Sequence, residues 1–320
     1  LPGFVRAVLR RPGWGWSDRL SLLAAATRWA VMRFDCADTL SVAQLCSGLP
    51  VRVREQLIEP LCVAALNTPA SQASARVFLG VLHDALFSGS GSSDLLLPRA
   101  PLGALLPKPA AAWLQRHGVP LHTSARAMQL QPAKPWQLDG HDFDAVLLAC
   151  SAAEAARLCA EIAPGWAATT AALRYEPIVT VYLKCSGARL SLPMLALHAG
   201  VQAPAQFVFD LGALDGPAGV FAFVISGARD WVERGLDTTA QATLDQARAA
   251  FPAGHWPTAM TVLHVAAEKR ATFRCTPGLQ RPPMAIAPAL WAAGAYVAGP
   301  YPATLEGAVR PGRDAALALG

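Results

Sequence analysis

The segment from Phe143 to Cys150 restricts the fold more than any other part of the sequence. After Asp144 it is an unbroken apolar run, Ala-Val-Leu-Leu-Ala-Cys, with none of the polar alternation of a half-exposed strand. Such a run is typical of a strand covered on both faces, inside a parallel or mixed sheet. A helix of alanine and glutamate follows over 152–162. The pattern therefore predicts an α/β fold.

The predicted elements follow the order helical, mixed, β-rich, and finally strand–loop–helix. Apolar residues recur at helical spacing through residues 1–90, whereas β-branched and aromatic runs separated by turns dominate from Tyr175 to Ala266. No internal repeat is evident. The other predicted helices cover 20–31, 39–47, 51–66, 71–88, 238–250 and 303–319, and the other predicted strands cover 119–123, 125–130, 178–184, 206–209, 220–225, 261–266 and 289–293.

Three local signals refine these elements. Ser17 and Asp18 offer an N-cap to the first long helix. Pro60 should stop or kink the helix over 51–66, because proline lacks the amide that an interior helical position needs. The Asp139-Gly140 pair predicts a turn.

Composition limits the class of protein and its environment. Apolar residues make up 53% of the 320 residues and charged residues 15%, yet no apolar run approaches the roughly 20 residues of a membrane span. The net charge of +5 suits contact with an anionic membrane surface, or else reflects a biased genome. Seven scattered cysteines indicate a reducing compartment. We therefore expect a cytoplasmic protein without a nucleic-acid partner, with contact to the inner membrane face left open.

The seven histidines provide no sign of a metal centre. They lack the His-x-x-x-His and Glu-x-x-His spacings of helical metal sites, so no metal is predicted. His264 lies within an apolar strand, where a buried structural histidine is the expected interpretation. No catalytic side chain and no oligomeric state can be assigned from the pattern.

The C-terminal stretch has the form of a ligand cradle. A strand over 290–293 runs into Gly294, then a loop containing Gly299 and two prolines, then a helix that opens near Thr304. The unpaired amides and the positive dipole end at a helix N-terminus favour an anion or a polar cofactor edge. Gly307 lets a flat ring or a neighbouring backbone approach closely. An ordinary strand–helix corner packed with small residues is the alternative.

Several motifs carry a family resemblance. Gly294-Ala-Tyr, followed by Pro302-Ala-Thr-Leu-Glu-Gly-Ala-Val, resembles the C-terminal flavin-binding signature of flavin amine oxidases and phytoene desaturases. Together with Glu268-Lys-Arg-Ala-Thr-Phe273 and Glu59-Pro-Leu-Cys-Val-Ala-Ala-Leu-Asn-Thr68, it resembles the squalene-associated subfamily of hydroxysqualene dehydroxylases. The likeness extends over nearly all 320 residues.

The resemblance implies a fold, a cofactor and a reaction. The implied fold is a Rossmann-like FAD-binding domain interleaved with an α+β substrate domain. FAD is the implied cofactor, and the implied reaction is the reductive dehydroxylation of hydroxysqualene to squalene in hopanoid synthesis, with an apolar triterpenoid as substrate. The implied division assigns 1–90 to the helical part of the substrate domain, 91–165 to FAD binding, 166–266 to the β-rich substrate domain, and 267–320 to FAD binding.

The resemblance also implies which residues bind. The backbone of the helix start should face the flavin, and Gly294 with its neighbours should meet the ribityl–pyrophosphate region. Ala127, in a strand over 124–130, should meet the adenine. The implied cofactor-binding residues are Gly294, Ala295, Tyr296, Pro302, Ala303, Thr304, Gly307 and Ala127. The implied substrate pocket contains Tyr301, Phe207, Phe209, Phe221 and Phe223.

Three departures from the family pattern leave other functions open. Ala295 stands where the family has an acidic residue, Pro311 stands inside the last helix, and no Gly-x-Gly-x-x-Gly follows a strand. We therefore expect a chain that lacks the first βαβ unit upstream of Leu1. Thr304 replaces the aromatic residue of amine oxidases. The alternatives are another flavin desaturase or amine oxidase, or a non-catalytic remnant that binds apolar lipid without FAD.

Overall fold

The computed structural model describes residues 2–89, 91–252 and 254–319. Its helices are α1 (Pro2–Arg10), α2 (Trp16–Val31), α3 (Val42–Leu45), α4 (Val51–Val53), α5 (Glu59–Leu66), α6 (Ala75–Phe87), α7 (Leu102–Leu105), α8 (Pro107–Arg116), α9 (Ala152–Leu158), α10 (Pro164–Ala171), α11 (Arg229–Arg234), α12 (Leu236–Ala250) and α13 (Leu305–Ala318). Its strands are β1 (Leu130–Gln131), β2 (Trp136–Leu138), β3 (His141–Phe143), β4 (Val146–Leu148), β5 (Tyr175–Lys184), β6 (Met194–Ala196), β7 (Phe207–Asp210), β8 (Val220–Ile225), β9 (Thr261–Phe273), β10 (Ala285–Ala287) and β11 (Leu290–Ala292).

Packing divides the chain into two compact units. The first contains Leu1–Ser93, Ala127–Glu176 and Arg270–Gly320, and the second contains Asp94–Arg126 and Pro177–Lys269. This division follows the density of contacts and does not test which segments bind cofactor or substrate. The functional domain boundaries therefore stay a prediction.

The N-terminal helices of the first unit form a core of their own, built around Leu22, Phe78 and Leu79. The predicted cap of α2 is wrong in detail. Gly15 is the N-cap residue, and the carboxylate of Asp18 accepts its amide at 3.0 Å from within the first turn. Asp18 therefore reaches back along the chain from a helical position, which spacing alone could not distinguish from a cap.

The helix around Pro60 does not stop at the proline. A π-helical turn over Arg54–Ile58 joins α4 to α5, and Pro60 falls in the first turn of α5. The wider turn thus absorbs the proline that was expected to break the helix.

The predicted buried strand, β4, is an edge strand of a three-stranded sheet in the first unit. β4 pairs in parallel with β11, in the register Val146↔Leu290 and Leu148↔Ala292, and β10 pairs antiparallel with the other edge of β11. Leu290 and Ala292 are fully buried, and α9 contributes Ala155 to the same core. The α/β fold class is confirmed.

A small antiparallel sheet β1-β2-β3 accompanies this core. The predicted Asp139-Gly140 turn joins β2 to β3, with φ of +50° and +82° at the two residues, as a two-residue hairpin turn requires. The predicted strands over 119–123 and 125–130 are wrong except at Leu130, since these residues have no ladder partner among the described residues.

The second unit is built on a five-stranded sheet of order β6-β7-β8-β5-β9. One face of this sheet packs against α12 and is largely apolar, with Val181, Phe221 and Phe223 completely buried and Asp210 as a buried exception at the end of β7. The predicted strands of this region are present, and β9 extends beyond its predicted end to Phe273. No helix of the described residues is both long enough and apolar enough to cross a membrane.

Candidate functional site

The corner between β11 and α13 brings together most of the predicted cofactor-binding residues. At its start, a methyl group on Gly294 would lie 2.7 Å from a ring carbon of Tyr296. Because the Tyr296 ring is buried, at 5% exposure, it cannot swing aside. Glycine at this position therefore allows the backbone after β11 to pack directly against the Tyr296 ring.

The start of α13 is built by Thr304 and Gly307. The Thr304 hydroxyl accepts the amide of Gly307 at 3.0 Å and donates to the carbonyl of Pro302 at 3.3 Å. A methyl group on Gly307 would stand 2.7 Å from that same carbonyl oxygen. The helix geometry leaves the amides of Leu305 and Glu306 without a carbonyl partner inside the helix. The corner thus presents backbone donors at the positive end of a 14-residue helix.

Arg281 holds the loop of this corner and was not found from the sequence. One guanidinium nitrogen donates to the carbonyls of Ala295, at 3.2 Å, and Tyr301, at 2.9 Å, and the other donates to the carbonyl of Gly299. Burial lowers the pKa of Arg281. The available signal was an arginine ahead of two prolines in a stretch, 269–305, that has no acidic residue.

Cys275 lies beneath the same corner. Its side chain is 3% exposed, and its thiol interacts with the backbone amide of Ala303. Burial raises the pKa of this thiol to about 11, although Arg281 opposes the shift. Cys275 is therefore a protonated packing residue at neutral pH.

Two cavities border the loop. One, of about 310 Å³, lies along α13 between Gly307, Arg310 and Arg313. The other, of about 160 Å³, is lined by Ser74 and Thr276 among other residues. Arg281, Gly299 and Tyr301 line both. Predicted as a pocket residue, Tyr301 is half-buried and lies 4.9 Å beneath the guanidinium of Arg310.

Tyr296 and Ala127 lie in the core rather than in open contact with a cavity. The hydroxyl of Tyr296 is buried without a hydrogen-bond partner among the described residues, and burial raises its pKa. Ala127 packs against the same hydrophobic cluster, and its carbonyl accepts a bond from Arg157. The predicted strand around Ala127 is absent, so its adenine contact stays a prediction.

The four predicted pocket phenylalanines do not converge. Phe221 and Phe223 lie on the face of the sheet that packs against α12 and are fully buried. Phe207 and Phe209 lie on the opposite face and are half-buried. Their cross-strand partners are Val224 and Ala222, which alternate along β8 with Phe221 and Phe223 and therefore point to the other side of the sheet. Assigning all four to one pocket was therefore wrong. Side chains alternate along a strand, so neighbouring strands must be in known register before faces can be assigned.

The interpretation of His264 as a buried core residue is also wrong. It is exposed on β9, and its ring stacks on Tyr182 with centroids 6.1 Å apart. Edge strands place one set of side chains near solvent even when the strand sequence is apolar.

A buried polar cluster in the first unit was missed as well. Nε of Arg274 donates to the Glu176 carboxylate at 2.6 Å, with Glu176 only 3% exposed. Asn67, at φ +49° after α5, donates to the Glu176 carbonyl at 3.2 Å and to the Thr272 hydroxyl at 2.9 Å. Asn67 is the next-to-last residue of the Glu59–Thr68 motif and the C-cap of α5, so a polar residue closing an apolar helix was the signal.

Comparison with known proteins agrees with this architecture. Residues 1–319 match the family described as flavin containing amine oxidoreductase. The chain belongs to this family. The family membership confirms the predicted superfamily and supports FAD as its cofactor.

Two relatives of this family member are hydroxysqualene dehydroxylases. That of Sinorhizobium fredii is 27% identical over 292 residues, covering 86% of this chain and 64% of the relative. That of Rhodopseudomonas palustris is 27% identical over 310 residues, covering 90% and 66%. The chain thus spans just under two thirds of the length of each relative. These matches support the predicted subfamily.

Solved structures show the same fold. An oxidoreductase from Methanosarcina mazei superposes with a TM-score of 0.71 at 14% identity, over 95% of this chain and 73% of that one. Wild-type putrescine oxidase superposes with a TM-score of 0.63 at 16% identity, over 95% and 74%. At these identities the likeness concerns the fold alone.

The residues of the corner fit a flavin. The carboxyl ends of the parallel strands β4 and β11 lead to it, which is where α/β sheets bind dinucleotides. The free amides of Leu305 and Glu306 suit the polar edge of a flavin ring. Gly294 and Gly307 have no side chain, so the backbone there can approach the ring closely. Pro311 does not end α13, which continues to Ala318.

Proposed function

We propose that this chain acts in an FAD-dependent oxidoreductase that removes the hydroxyl group of hydroxysqualene reductively to yield squalene. The supporting observation is the β11–α13 corner, with its capped helix start and glycines, in a chain whose relatives include two hydroxysqualene dehydroxylases. By its chemistry, this step would belong to hopanoid or other triterpenoid synthesis.

Backbone groups of this chain would hold the cofactor. The amides of Leu305 and Glu306 would meet the flavin, Gly294 would lie against the ribityl chain, and Ala127 would contact the adenine. When bound, FAD supplies the hydride that replaces the hydroxyl. The hydroxyl leaves as water, so the site must also deliver one proton. Thr304 leaves this corner without an aromatic side chain at the helix cap, which suits a hydrocarbon better than an amine.

An open apolar sheet face supports a hydrocarbon substrate. On the face away from α12, the cross-strand row Met194, Phe209, Ala222 and Tyr182 runs across four strands. Ala222 is small and buried, and it lies between the rings of Phe209 and Tyr182. Phe207 continues this face one row further. Apolar and aromatic side chains of this kind suit contact with a flexible hydrocarbon.

Two measurements test the proposal. The purified chain should carry or take up FAD, seen as a visible flavin absorbance that stays with the protein through gel filtration. With hydroxysqualene and reduced flavin under anaerobic conditions, mass spectrometry should detect squalene. Flavin binding with turnover of an amine instead would favour an amine oxidase. Hydrocarbon binding without flavin uptake would favour the non-catalytic lipid binder.

Peripheral contact with an anionic membrane is a further part of the proposal. Between Asp94 and Arg126 no residue is buried, and the exposed fraction of Leu96, Leu105 and Leu106 is 94%, 52% and 62%. The same segment has four basic residues and one acidic one. Exposed leucines among basic side chains suit an anionic lipid surface, on which an apolar substrate would be delivered.

Vesicle sedimentation tests this contact. The chain should sediment with phosphatidylglycerol-containing vesicles and not with pure phosphatidylcholine vesicles, and salt should weaken the binding. The double variant Leu105→Glu/Leu106→Glu should abolish it. Leu192→Glu, at another exposed leucine of the second unit, serves as the control and should bind normally. Equal sedimentation of both variants would contradict the contact.

A further inference from the structure

Arg281 organises the loop between β11 and α13 from one side chain. Its two terminal nitrogens donate to the carbonyls of Ala295, Gly299 and Tyr301, which span seven residues of the loop. A planar guanidinium with several fixed donors can hold three carbonyls in one arrangement, which a flexible ammonium cannot. The loop conformation is therefore tied to this residue.

The guanidinium of Arg281 donates its hydrogen bonds to backbone carbonyls and not to a carboxylate. No ion pair of Arg281 occurs among the described residues, and its guanidinium lies 5.2 Å from the centre of the Phe273 ring. The nearest acidic residues in sequence are Glu268 and Glu306. Because a half-buried cation without a carboxylate is costly, its bonds to the loop carbonyls must offset its desolvation.

The position of Arg281 connects this bonding to the candidate cofactor site. Arg281, Gly299 and Tyr301 line both the 310 Å³ cavity along α13 and the 160 Å³ cavity beside Ser74. Backbone bonds reinforce the arrangement, since the amide of Ala298 donates to the carbonyl of Pro282 at 2.9 Å. The loop so held leads directly into the Thr304 cap and the free amides of α13.

We propose that Arg281 is a positioning residue for FAD, which sets the loop 295–301 so that the start of α13 faces the flavin. This inference rests on the proposed function, because it assigns the flavin to the same corner. Arg281 does not need to touch the cofactor for this role. It fixes the backbone in advance, so that binding FAD does not have to order the loop.

Three variants separate positioning from simple packing. Arg281→Met keeps the length and apolar stem but has no donors, and Arg281→Lys keeps the charge with fewer reachable carbonyls. Arg313→Met is the control, because Arg313 lines the same large cavity and pairs only with Asp314 in the bonds described. Each is compared with the natural chain by amide hydrogen exchange without flavin, and then by FAD titration.

The expected exchange result does not depend on flavin. Amides from 297 to 304 should exchange about tenfold or more faster in Arg281→Met, the scale of one lost charge-assisted hydrogen bond. Arg281→Lys should fall between, and Arg313→Met should match the natural chain. FAD affinity should follow the same order, falling about tenfold in Arg281→Met and recovering partly in Arg281→Lys.

Each outcome decides something different. Unchanged exchange of the loop in Arg281→Met would overturn the positioning role. Faster exchange with unchanged FAD affinity would also overturn it, because the loop would then be irrelevant to the cofactor. Absence of FAD binding in the natural chain would overturn the proposed function and the role toward FAD, while the exchange result would still report on the loop itself.

Discussion

The hydroxyl of Thr304 accepts the amide of Gly307 at 3.0 Å, and a methyl group on Gly307 would lie 2.7 Å from the carbonyl oxygen of Pro302. The cap and the glycine are therefore parts of one arrangement. Thr304 fixes where α13 begins, and Gly307 allows the preceding loop to fold back onto the first turn.

Replacing the cap should loosen this start. We expect Thr304→Ala to lower the free energy of unfolding by about 1 kcal/mol, the usual cost of losing a threonine N-cap. Thr304→Ser retains the oxygen and should be close to neutral. Denaturant unfolding measures both, and equal stability of the alanine and serine variants would show that the cap contributes nothing.

Gly307→Ala should have a different effect from the cap variants. Its methyl group can be accommodated only if the Pro302 carbonyl moves, so the loop and not the helix should change. We expect faster amide exchange over 299–303 and weaker FAD binding, with the helix signal in circular dichroism unchanged. Gly312→Ala, where a methyl group would meet no atom within 4 Å, is the matched control.

Removing only one partner of the Glu176–Arg274 ion pair should destabilise the folded protein. Glu176→Ala would leave Arg274, at 22% exposure, without its carboxylate, and we expect a loss of about 3 kcal/mol. The double variant Glu176→Leu/Arg274→Met should regain most of that loss, because no unpaired charge remains. Urea unfolding of the two variants provides the comparison.

An exposed pair provides the contrast. Asp314→Ala breaks the 2.8 Å contact with Arg313, where both side chains are about half exposed. A surface pair contributes at most about 1 kcal/mol, so the variant should unfold almost as the natural chain does. If both pairs cost the same, burial would not be the reason for the Glu176 effect.

The stability of the chain should contain an unfavourable contribution from ionised Glu59. Burial raises the pKa of Glu59, although the amide of Ala70, at 3.2 Å, opposes the shift. As pH rises, the unfolded chain therefore loses the Glu59 proton at a lower pH than the folded chain does. Stability falls as pH rises from the ordinary carboxyl range, near 4.3, through the higher folded pKa, and then levels off.

Glu59→Gln should remove that fall, because the amide oxygen still accepts from Ala70 without ionising. Subtracting unfolding free energies across pH 3 to 7 (roughly the carboxyl range) isolates the difference.

Asp139→Asn should show the opposite sign, since the amides of Gln129 and Met128 lower the pKa of Asp139. Its contribution is present above the ordinary pKa and is lost as pH falls through the folded one.

The two faces of the sheet in the second unit should respond differently to truncation. Phe223→Ala removes a fully buried ring and should cost about 3–5 kcal/mol of stability. Phe209→Ala, on the open face, should cost less and should weaken binding of a hydrocarbon probe such as squalene. Thermal unfolding and a binding titration separate the two, and a larger stability loss for Phe209 would contradict the assignment of faces.

Local sequence signals located most elements of this protein. The apolar run after Asp144 predicted the buried β4, and the small residues after Trp291 predicted the β11–α13 corner with its cap near Thr304. These signals are local because a strand period, a turn pair or a helix cap is set within a few residues. The same locality explains the family resemblance, which is carried by short contiguous motifs.

Contacts between distant segments were decided only by the tertiary structure. Arg281 meets carbonyls up to 20 residues away, and Asn67 meets Thr272 from 205 residues away. The register of β7 and β8 placed Phe207 and Phe221 on opposite faces, which no single strand could reveal. The sequence by itself thus predicted most of the elements, the family and the β11–α13 corner. The three-dimensional packing decided which side chains hold that corner in shape, because a side chain's partners depend on what long-range folding brings beside it.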